Sequence, residues 1–297
     1  MEADFRLTSP SFPFPSGKGQ GLGPRVVLWG LGLMGGSLAM ALKGKCAGVD
    51  GIDSDPETVA LARESGIIER GSTLPEQILP GADLIILAAP VRVILAQLAD
   101  LPHLHPGPAV VMDLGSTKQA IMAAMESLPE RFDPLGGHPM TGKEKSSLRN
   151  AEAAIYQGAP FALTALPRTS LRARQLGEAL VIAIGARPLW MDAGQHDRWV
   201  AATSHLPYLL SSALARCTPE EAAPLVGPGF RSASRLAGSS TRMMSDILAT
   251  NRENVREAIA RFRVELDHYD ALLEAGAWDE MAALMEEGVR RYQKLCV

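Results

Sequence analysis

The chain has 297 residues, a length that corresponds to about two domains of ordinary size and allows a sizeable hydrophobic core. Hydrophobic residues make up 46% and charged residues 21%, so the composition is that of a folded globular protein and not of a disordered one. The net charge of −4 gives no general attraction for nucleic acid or acidic lipid surfaces, and we expect neither as a partner.

The cysteines and the apolar segments bear on the cellular location. Cys46, Cys217 and Cys296 are odd in number and form no Cys-x-x-Cys pair, so we expect neither a disulfide framework nor a metal site. The charge-free apolar segment 26–42 is shorter than a membrane span and is interrupted by glycines. The sequence therefore predicts a cytoplasmic protein without a transmembrane helix.

The N-terminal half predicts an α/β fold. Residues 1–24 have no basic start and are rich in Ser, Pro and Gly, so we expect a flexible arm and not a secretory signal. From residue 25 to about 192, short apolar segments alternate with helical stretches, which is typical of a doubly wound parallel sheet. The predicted strands are 25–29, 49–52, 83–88, 109–114, 161–164 and 187–191. The predicted helices are 37–43, 57–65, 91–101, which ends before Pro102, and 170–184.

The C-terminal part, 193–297, has no strand signal and is predicted to be all-helical. Steps of four and three residues place a stripe of apolar side chains on one face of a helix, for which we expect packing in the core of a helical domain. This stripe consists of Val255, Ile259, Phe262, Leu266, Tyr269 and Leu273. A last helix is predicted at 278–295, after the break at Gly276.

A glycine-rich loop follows the first predicted strand. Gly30, Gly32 and Gly35 form the pattern Gly-x-Gly-x-x-Gly between a strand and a helix, which is typical of a dinucleotide site. The pyrophosphate would lie on the amides at the start of that helix. Asp53 ends the next strand, where a carboxylate can accept ribose hydroxyls and would repel a 2′-phosphate. NAD is therefore predicted, with NADP less favoured; a simple surface acid is the alternative for Asp53.

Other candidates lie at the carboxyl ends of predicted strands, where ligands bind in open α/β sheets. Pro90 and the segment 115–118 are at such ends, although Ser116 or Thr117 could instead cap the next helix. His138 lies between a glycine pair and Pro139, so we expect a catalytic role for it, with a structural histidine as the alternative. The predicted cofactor contacts are Gly30, Gly32, Leu33, Met34, Gly35, Asp53, Pro90 and Gly115.

Five segments, in this order, resemble the prephenate and arogenate dehydrogenases of tyrosine biosynthesis. They are 30–37 (GLGLMGGS), 113–118 (DLGSTK), 136–145 (GGHPMTGKEK), 204–207 (SHLP) and 229–236 (GFRSASRL). The resemblance implies a Rossmann-like nucleotide domain followed by an all-α dimerisation domain, and hence a homodimer. It also implies an NAD-dependent oxidative decarboxylation, with prephenate as the first substrate to test.

The resemblance further implies roles for particular side chains. His138 matches the base that takes the proton of the substrate hydroxyl, and Ser116 matches a serine that bonds both this histidine and that hydroxyl. Arg235 matches an arginine that binds a substrate carboxylate, and Arg231 lies four residues earlier on the same predicted helix face. The candidate substrate contacts are Arg235, His205, Tyr208, Arg231 and Glu144. A core histidine at 205, an exposed loop acid at 144 and surface arginines are the alternatives.

Three positions depart from the pattern of the family. Tyr208 stands where prephenate-using members commonly have histidine, Ser232 where aspartate is usual, and Met244 where tryptophan is usual. An arogenate-using or dual-specificity cyclohexadienyl dehydrogenase is therefore the main alternative. A reductase of small hydroxy acids would need a catalytic lysine, and 192–215 contains none. A non-catalytic NAD-sensing protein is a distant alternative.

Overall fold

The computed structural model describes residues 23–143 and 147–296, so most of the predicted arm and Glu144 lie outside the described residues. Within these ranges, eight strands form one sheet in the order β3-β2-β1-β4-β5-β6-β7-β8. The strands are β1 Arg25–Trp29, β2 Gly48–Ile52, β3 Gly71–Ser72, β4 Leu84–Leu87, β5 Ala109–Asp113, β6 Phe132–Pro139, β7 Pro160–Thr164 and β8 Arg187–Trp190. All neighbours are parallel except β6 and β7.

Helices cover both faces of this sheet. Successive side chains of a strand point to opposite faces, and in β1 Val26 and Leu28 pack in one buried cluster while Val27 packs in the other. Both faces of the central strands are therefore buried, which explains their continuous apolar sequences. The helices of this part are α1 Leu33–Leu42, α2 Pro56–Glu64, α3 Val91–Leu104, α4 Gln119–Glu126 and α5 Leu171–Ala183. The predicted doubly wound α/β fold is confirmed.

Two predictions in this part were wrong. The strand β6, which carries His138, was not predicted, because prolines and glycines within it are typical of loops. Its pairing with β5 and β7 forms through contacts distant in sequence. Helix α3 continues through Pro102 to Leu104, although a stop before Pro102 was expected. The ring of Pro102 lies in the last turn of α3, where the N–H of His105 still donates to the carbonyl of Leu101 at 3.0 Å.

The remaining helices confirm an all-helical C-terminal part. They are α6 Ala193–Val200, α7 Leu206–Cys217, α8 Pro228–Ser234, α9 Thr241–Thr250, α10 Arg252–Ala275 and α11 Trp278–Cys296. A π turn, Ala201–His205, joins α6 to α7, so these two helices form one continuous element. Pro207, in the first turn of α7, has no N–H to donate to the preceding turn, which favours such a widened turn.

The predicted apolar stripe lies on α10 but is not a core along its whole length. Val255 packs in a small buried cluster with Ala201 and Ala258. Leu266 and Leu273, further along the helix, are each 55% exposed, so the expected core packing is wrong there. In the C-terminal half of α10 Leu272 is buried, whereas most other side chains are exposed.

Two features that bear on the predicted classes are absent from the described ranges. No helix within 23–143 or 147–296 is both long and apolar enough to cross a membrane. In the same ranges, histidine, cysteine and acidic side chains form no group of three or more suited to a metal ion.

Candidate active site

The glycine-rich loop between β1 and α1 is closely packed on one side and open on the other. A Cβ atom on Gly30, whose φ is +116°, would lie 2.3 Å from the carbonyl oxygen of Ala88. One on Gly35 would lie 1.9 Å from the carbonyl oxygen of Gly30. One on Gly32 would meet nothing within 4 Å, and no side chain caps α1. The loop therefore leaves the first amides of α1, including those of Leu33 and Met34, accessible to an anion.

Asp53 follows β2 and already has two backbone partners. Its carboxylate accepts the N–H of Leu31 at 2.8 Å and the N–H of Asp55 at 3.0 Å. The side chain is half-buried and fixes the glycine loop to the end of β2. Pro90, exposed after β4, directly precedes α3, and Gly115 follows β5. These residues thus lie at the carboxyl edge of the parallel strands, as predicted.

A fully buried ion pair supports the strand that carries His138. Lys118 and Asp113 are both inaccessible to solvent and form a salt bridge. The ammonium of Lys118 also donates to the carbonyl of Gly137 at 2.7 Å, and Asp113 accepts the N–H of Gly137 at 3.1 Å. Both backbone groups of the residue before His138 are therefore held by this pair. Burial lowers the pKa of Lys118, and the charge of Asp113 opposes that effect.

His138 is joined to two further titratable side chains from α6. Its Nδ1 lies 2.8 Å from Nε2 of His196, and Nδ1 of His196 lies 2.8 Å from Oδ1 of Asp197. Asp197 in turn accepts the N–H of Lys118 at 2.7 Å and that of Gln119 at 2.9 Å. The start of α4, the end of β6 and the first helix of the C-terminal part thus meet at one buried network.

His205 belongs to the same buried region. The amide of Asn251 donates to the carbonyl of Asp197 at 2.7 Å and lies 3.2 Å from Nδ1 of His205. A regular helix turns about 100° per residue, so eight residues would place His205 roughly 80° from Asp197. The extra residue accommodated by the π turn reduces this offset to about 20°. The widened turn therefore presents both side chains on one face.

The electrostatic environment keeps these histidines neutral. Burial lowers the pKa of His138 well below its usual value, and His196, Lys118 and His205 add to this effect. Burial also lowers the pKa of His205 to about 4, although the nearby Asp197 opposes the shift. A neutral imidazole at the end of β6 has a lone pair that can take a proton, which is the chemical requirement for a general base.

The other predicted site residues make contacts different from those expected of them. Neither Ser116 nor Thr117 caps α4, so the alternative role of a helix cap is not found for either; Asp197 accepts the first N–H groups instead. The hydroxyl of Thr117 lies 2.9 Å from that of Thr250. Ser116 is half-buried, and within the described ranges no hydrogen bond joins it to His138. Tyr208 is half-buried on α7.

The two arginines lie where a short helix ends. Arg231 is on α8 and exposed, with a long 3.4 Å bond to the carbonyl of Val226. Arg235 begins the 3₁₀ turn that continues α8 and is also exposed. Glu144, the remaining candidate, lies outside the described residues.

Sequence reasoning missed His196, Asp197, Asn251 and the Asp113–Lys118 pair as parts of this site. Their positions depend on contacts between residues up to 79 positions apart in the chain. One signal was present: His196 and Asp197 are adjacent titratable residues near the start of the predicted all-helical part.

A glycine loop open to an anion and a neutral histidine, both at the carboxyl edge of one doubly wound sheet, form the arrangement of a dehydrogenase, an oxidoreductase. The comparisons with known proteins define the family. The model of the prephenate dehydrogenase nucleotide-binding domain matches residues 38–187, and that of the prephenate dehydrogenase dimerization domain matches 192–287. The chain belongs to the prephenate dehydrogenase family.

Individual relatives agree with this assignment. Prephenate dehydrogenase of Bacillus subtilis is 32% identical, over 82% of this chain and 68% of the relative. The crystal structure of A. aeolicus prephenate dehydrogenase with hydroxyphenyl propionate and NAD+ is 29% identical, with a TM-score of 0.85 over 91% of this chain and 98% of that one. Synechocystis arogenate dehydrogenase is 25% identical, with a TM-score of 0.80 over 91% and 99% of the two chains.

Proposed function

We propose that this protein is an NAD-dependent prephenate dehydrogenase, which converts prephenate to 4-hydroxyphenylpyruvate and carbon dioxide. The observation that carries the proposal is the neutral His138 imidazole, fixed by buried partners at the same carboxyl edge of the sheet that carries the glycine loop. Membership of the family supports the reaction class.

The glycine loop fits a dinucleotide. The open space at Gly32 and the uncapped start of α1 would hold the pyrophosphate, and Gly115 and Pro90 would line the same edge. Asp53 would accept the ribose hydroxyls with the lone pairs that its backbone bonds leave over. NAD, when bound, would accept the hydride released as the C–H bond at ring C4 of the substrate breaks. A carboxylate at this place repels a 2′-phosphate, so NADP is the poorer cofactor.

His138 would perform the proton transfer. It takes the proton of the hydroxyl on ring C4 as that oxygen becomes a carbonyl. When the bond to the ring carboxylate breaks, its electron pair passes through the ring to the same oxygen, which then needs a proton. The imidazolium of His138 can return it. The proton is thus borrowed and given back, and no net acid or base is consumed.

The substrate carries two carboxylates, and we propose Arg235 as the main partner of one of them. Arg231, His205, Tyr208 and Glu144 are proposed to complete the substrate site, with Ser116 bonding the substrate hydroxyl. The neutral hydroxyl of Tyr208 favours a second candidate, a dual-specificity enzyme that also accepts arogenate, because it adds no positive charge for the anionic side chain of prephenate.

Two further properties are proposed for the whole protein. The exposed apolar side chains of α10 and α11, together with the match to a dimerization domain, support a homodimer. A cytoplasmic location, expected from the sequence, is a prediction that cell fractionation tests.

The function is tested by initial rates of NADH formation with purified protein. Prephenate and arogenate are compared at saturating NAD, and NAD is compared with NADP at saturating prephenate. We expect turnover of prephenate, a smaller rate with arogenate, and at least about tenfold higher kcat/KM with NAD. Absence of NADH formation with both substrates would refute the proposed function, and equal use of NADP would refute the role of Asp53.

A further inference from the structure

The histidine proposed as the base does not stand alone but ends a chain of three side chains. Nδ1 of His138, both nitrogens of His196 and Oδ1 of Asp197 are connected by two contacts of 2.8 Å. His196 and Asp197 are at most 1% exposed, so water does not compete for these contacts. The direction in which hydrogens point along this chain decides which nitrogen of His138 has a lone pair.

Asp197 determines which way the hydrogen points at its end of the three-residue chain. Its two oxygens each accept a backbone N–H from the start of α4, where the helix dipole favours a negative charge. A carboxylate so placed is an acceptor only, and the hydrogen between Asp197 and His196 therefore belongs to the imidazole. The proton of His196 on this side is thus on Nδ1, and a neutral imidazole protonated there has a lone pair on Nε2.

The lone pair on Nε2 of His196 determines which nitrogen of His138 carries the hydrogen. When the Nε2 lone pair of His196 accepts, Nδ1 of His138 donates and Nε2 of His138 has the free lone pair. Resting on the proposed function, we propose that His196 is a positioning residue: with Asp197 behind it, it holds His138 in the one neutral tautomer whose Nε2 can accept the proton of the substrate hydroxyl.

The tautomer has a direct consequence for the reaction. With the proton on Nε2, His138 would present a donor to the substrate hydroxyl and could not act as its base. When Nε2 takes the proton, Nδ1–H still donates to His196, so the new positive charge meets an acceptor that is already oriented. The proton passes from the hydroxyl oxygen to Nε2, and the hydrogen on Nδ1 stays where it was.

The tautomer is measured without substrate. In full-length protein labelled with ¹⁵N-histidine, two-bond ring correlations at pH 8 distinguish a protonated from an unprotonated nitrogen, and the His138 signals are assigned by their loss in His138→Asn. We expect His138 with the proton on Nδ1 and His196 likewise. A wild-type His138 with its proton on Nε2 overturns the proposal, whatever happens in any variant.

Two substitutions of His196 separate positioning from packing. His196→Leu removes the acceptor, and we expect the proton of His138 to move to Nε2 and kcat to fall about 10²-fold, with KM for prephenate and NAD within a few-fold. His196→Gln can supply an amide oxygen near the former Nε2, so it should retain the Nδ1–H tautomer and recover most of kcat. The exposed His103→Leu is the matched control and should match wild type.

The outcomes are distinct. A loss that is confined to KM, equal losses in the leucine and glutamine variants, or an unchanged tautomer in His196→Leu would each overturn the positioning role. If His196→Leu does not fold, the tautomer of wild-type His138 and the kcat of His196→Gln still test the positioning role. A correct tautomer in a protein that oxidises neither prephenate nor arogenate would refute the proposed function and not the hydrogen-bond arrangement.

Discussion

The Asp197 carboxylate of α6 accepts the backbone N–H of Lys118, at 2.7 Å, across 79 residues of chain. The same carboxylate accepts the N–H of Gln119 at 2.9 Å. Asp197, from the helical C-terminal part, therefore caps α4, a helix of the α/β part. This contact fixes the position of His196, and through it of His138, relative to the carboxyl edge of the strands. We therefore expect the Asp197 side chain to affect both the stability of the fold and the catalytic rate.

Asp197→Ala should lower both the free energy of unfolding and kcat. Loss of a cap costs about 1 kcal/mol, and the buried N–H groups left without an acceptor add about 1–3 kcal/mol. Asp192→Ala is the matched control, because Asp192 caps only its own helix, α6, through the N–H of Gln195 at 2.8 Å. Urea unfolding and initial rates measure both variants. If Asp197→Ala and Asp192→Ala lowered the free energy of unfolding and kcat by the same amounts, Asp197 would be only a helix cap.

Buried neutral histidines should make the protein sensitive to acid. The pKa of His205 is about 4 in the folded protein and about 6.5 when unfolded, so the unfolded chain binds the proton first as pH falls. Stability is therefore complete above about pH 6.5 and is lost between that pH and about 4. From pH 7.5 to pH 5, His205 alone should cost about 2 kcal/mol.

The measurement is urea unfolding at these two pH values. His205→Gln should lose about 2 kcal/mol less than wild type on acidification, whereas the exposed His103→Gln should behave like wild type. The same pH dependence in wild type and His205→Gln would mean that His205 does not stay neutral in the folded protein.

Local patterns in the sequence were sufficient for six of the eight strands of the described sheet but not for the site. Buried strands such as Leu84–Leu87 are continuous apolar segments, and the glycines at 30, 32 and 35 were readable from their spacing. β6 was missed because Pro134 and Pro139 suit a loop, and only the pairing with its two neighbours makes a strand there. The His138–His196 contact joins residues 58 apart, which no local pattern encodes.

The helical part should form a homodimer. Leu266 and Leu273 of α10 are apolar and exposed in the single chain, and a second copy would cover them. Light scattering at micromolar concentration should give about twice the single-chain mass of 31.7 kDa. Leu266→Asp with Leu273→Asp should reduce that mass, whereas Leu171→Asp, an exposed leucine on α5, should not. A wild-type mass near 31.7 kDa would contradict the prediction.

Tyr208 should influence the choice between prephenate and arogenate. Tyr208→His adds a side chain that can carry positive charge, so the ratio of kcat/KM values should shift toward prephenate by about tenfold, the value of one hydrogen bond to a charged group. Tyr208→Phe removes only the hydroxyl and should not produce this shift. An unchanged ratio in Tyr208→His would direct attention to the exposed Ser232, since Met244 is buried on α9.

The central claim is that His138 is the base of the reaction, and kcat of His138→Asn at saturating NAD and prephenate tests it most directly. The exposed His103→Asn is the control, and wild-type activity should persist to below pH 6.5 because the pKa of His138 is lowered. We predict that His138→Asn lowers kcat by about 10²-fold or more, with the Kd for NAD within a few-fold of wild type. A kcat close to that of wild type would contradict the account.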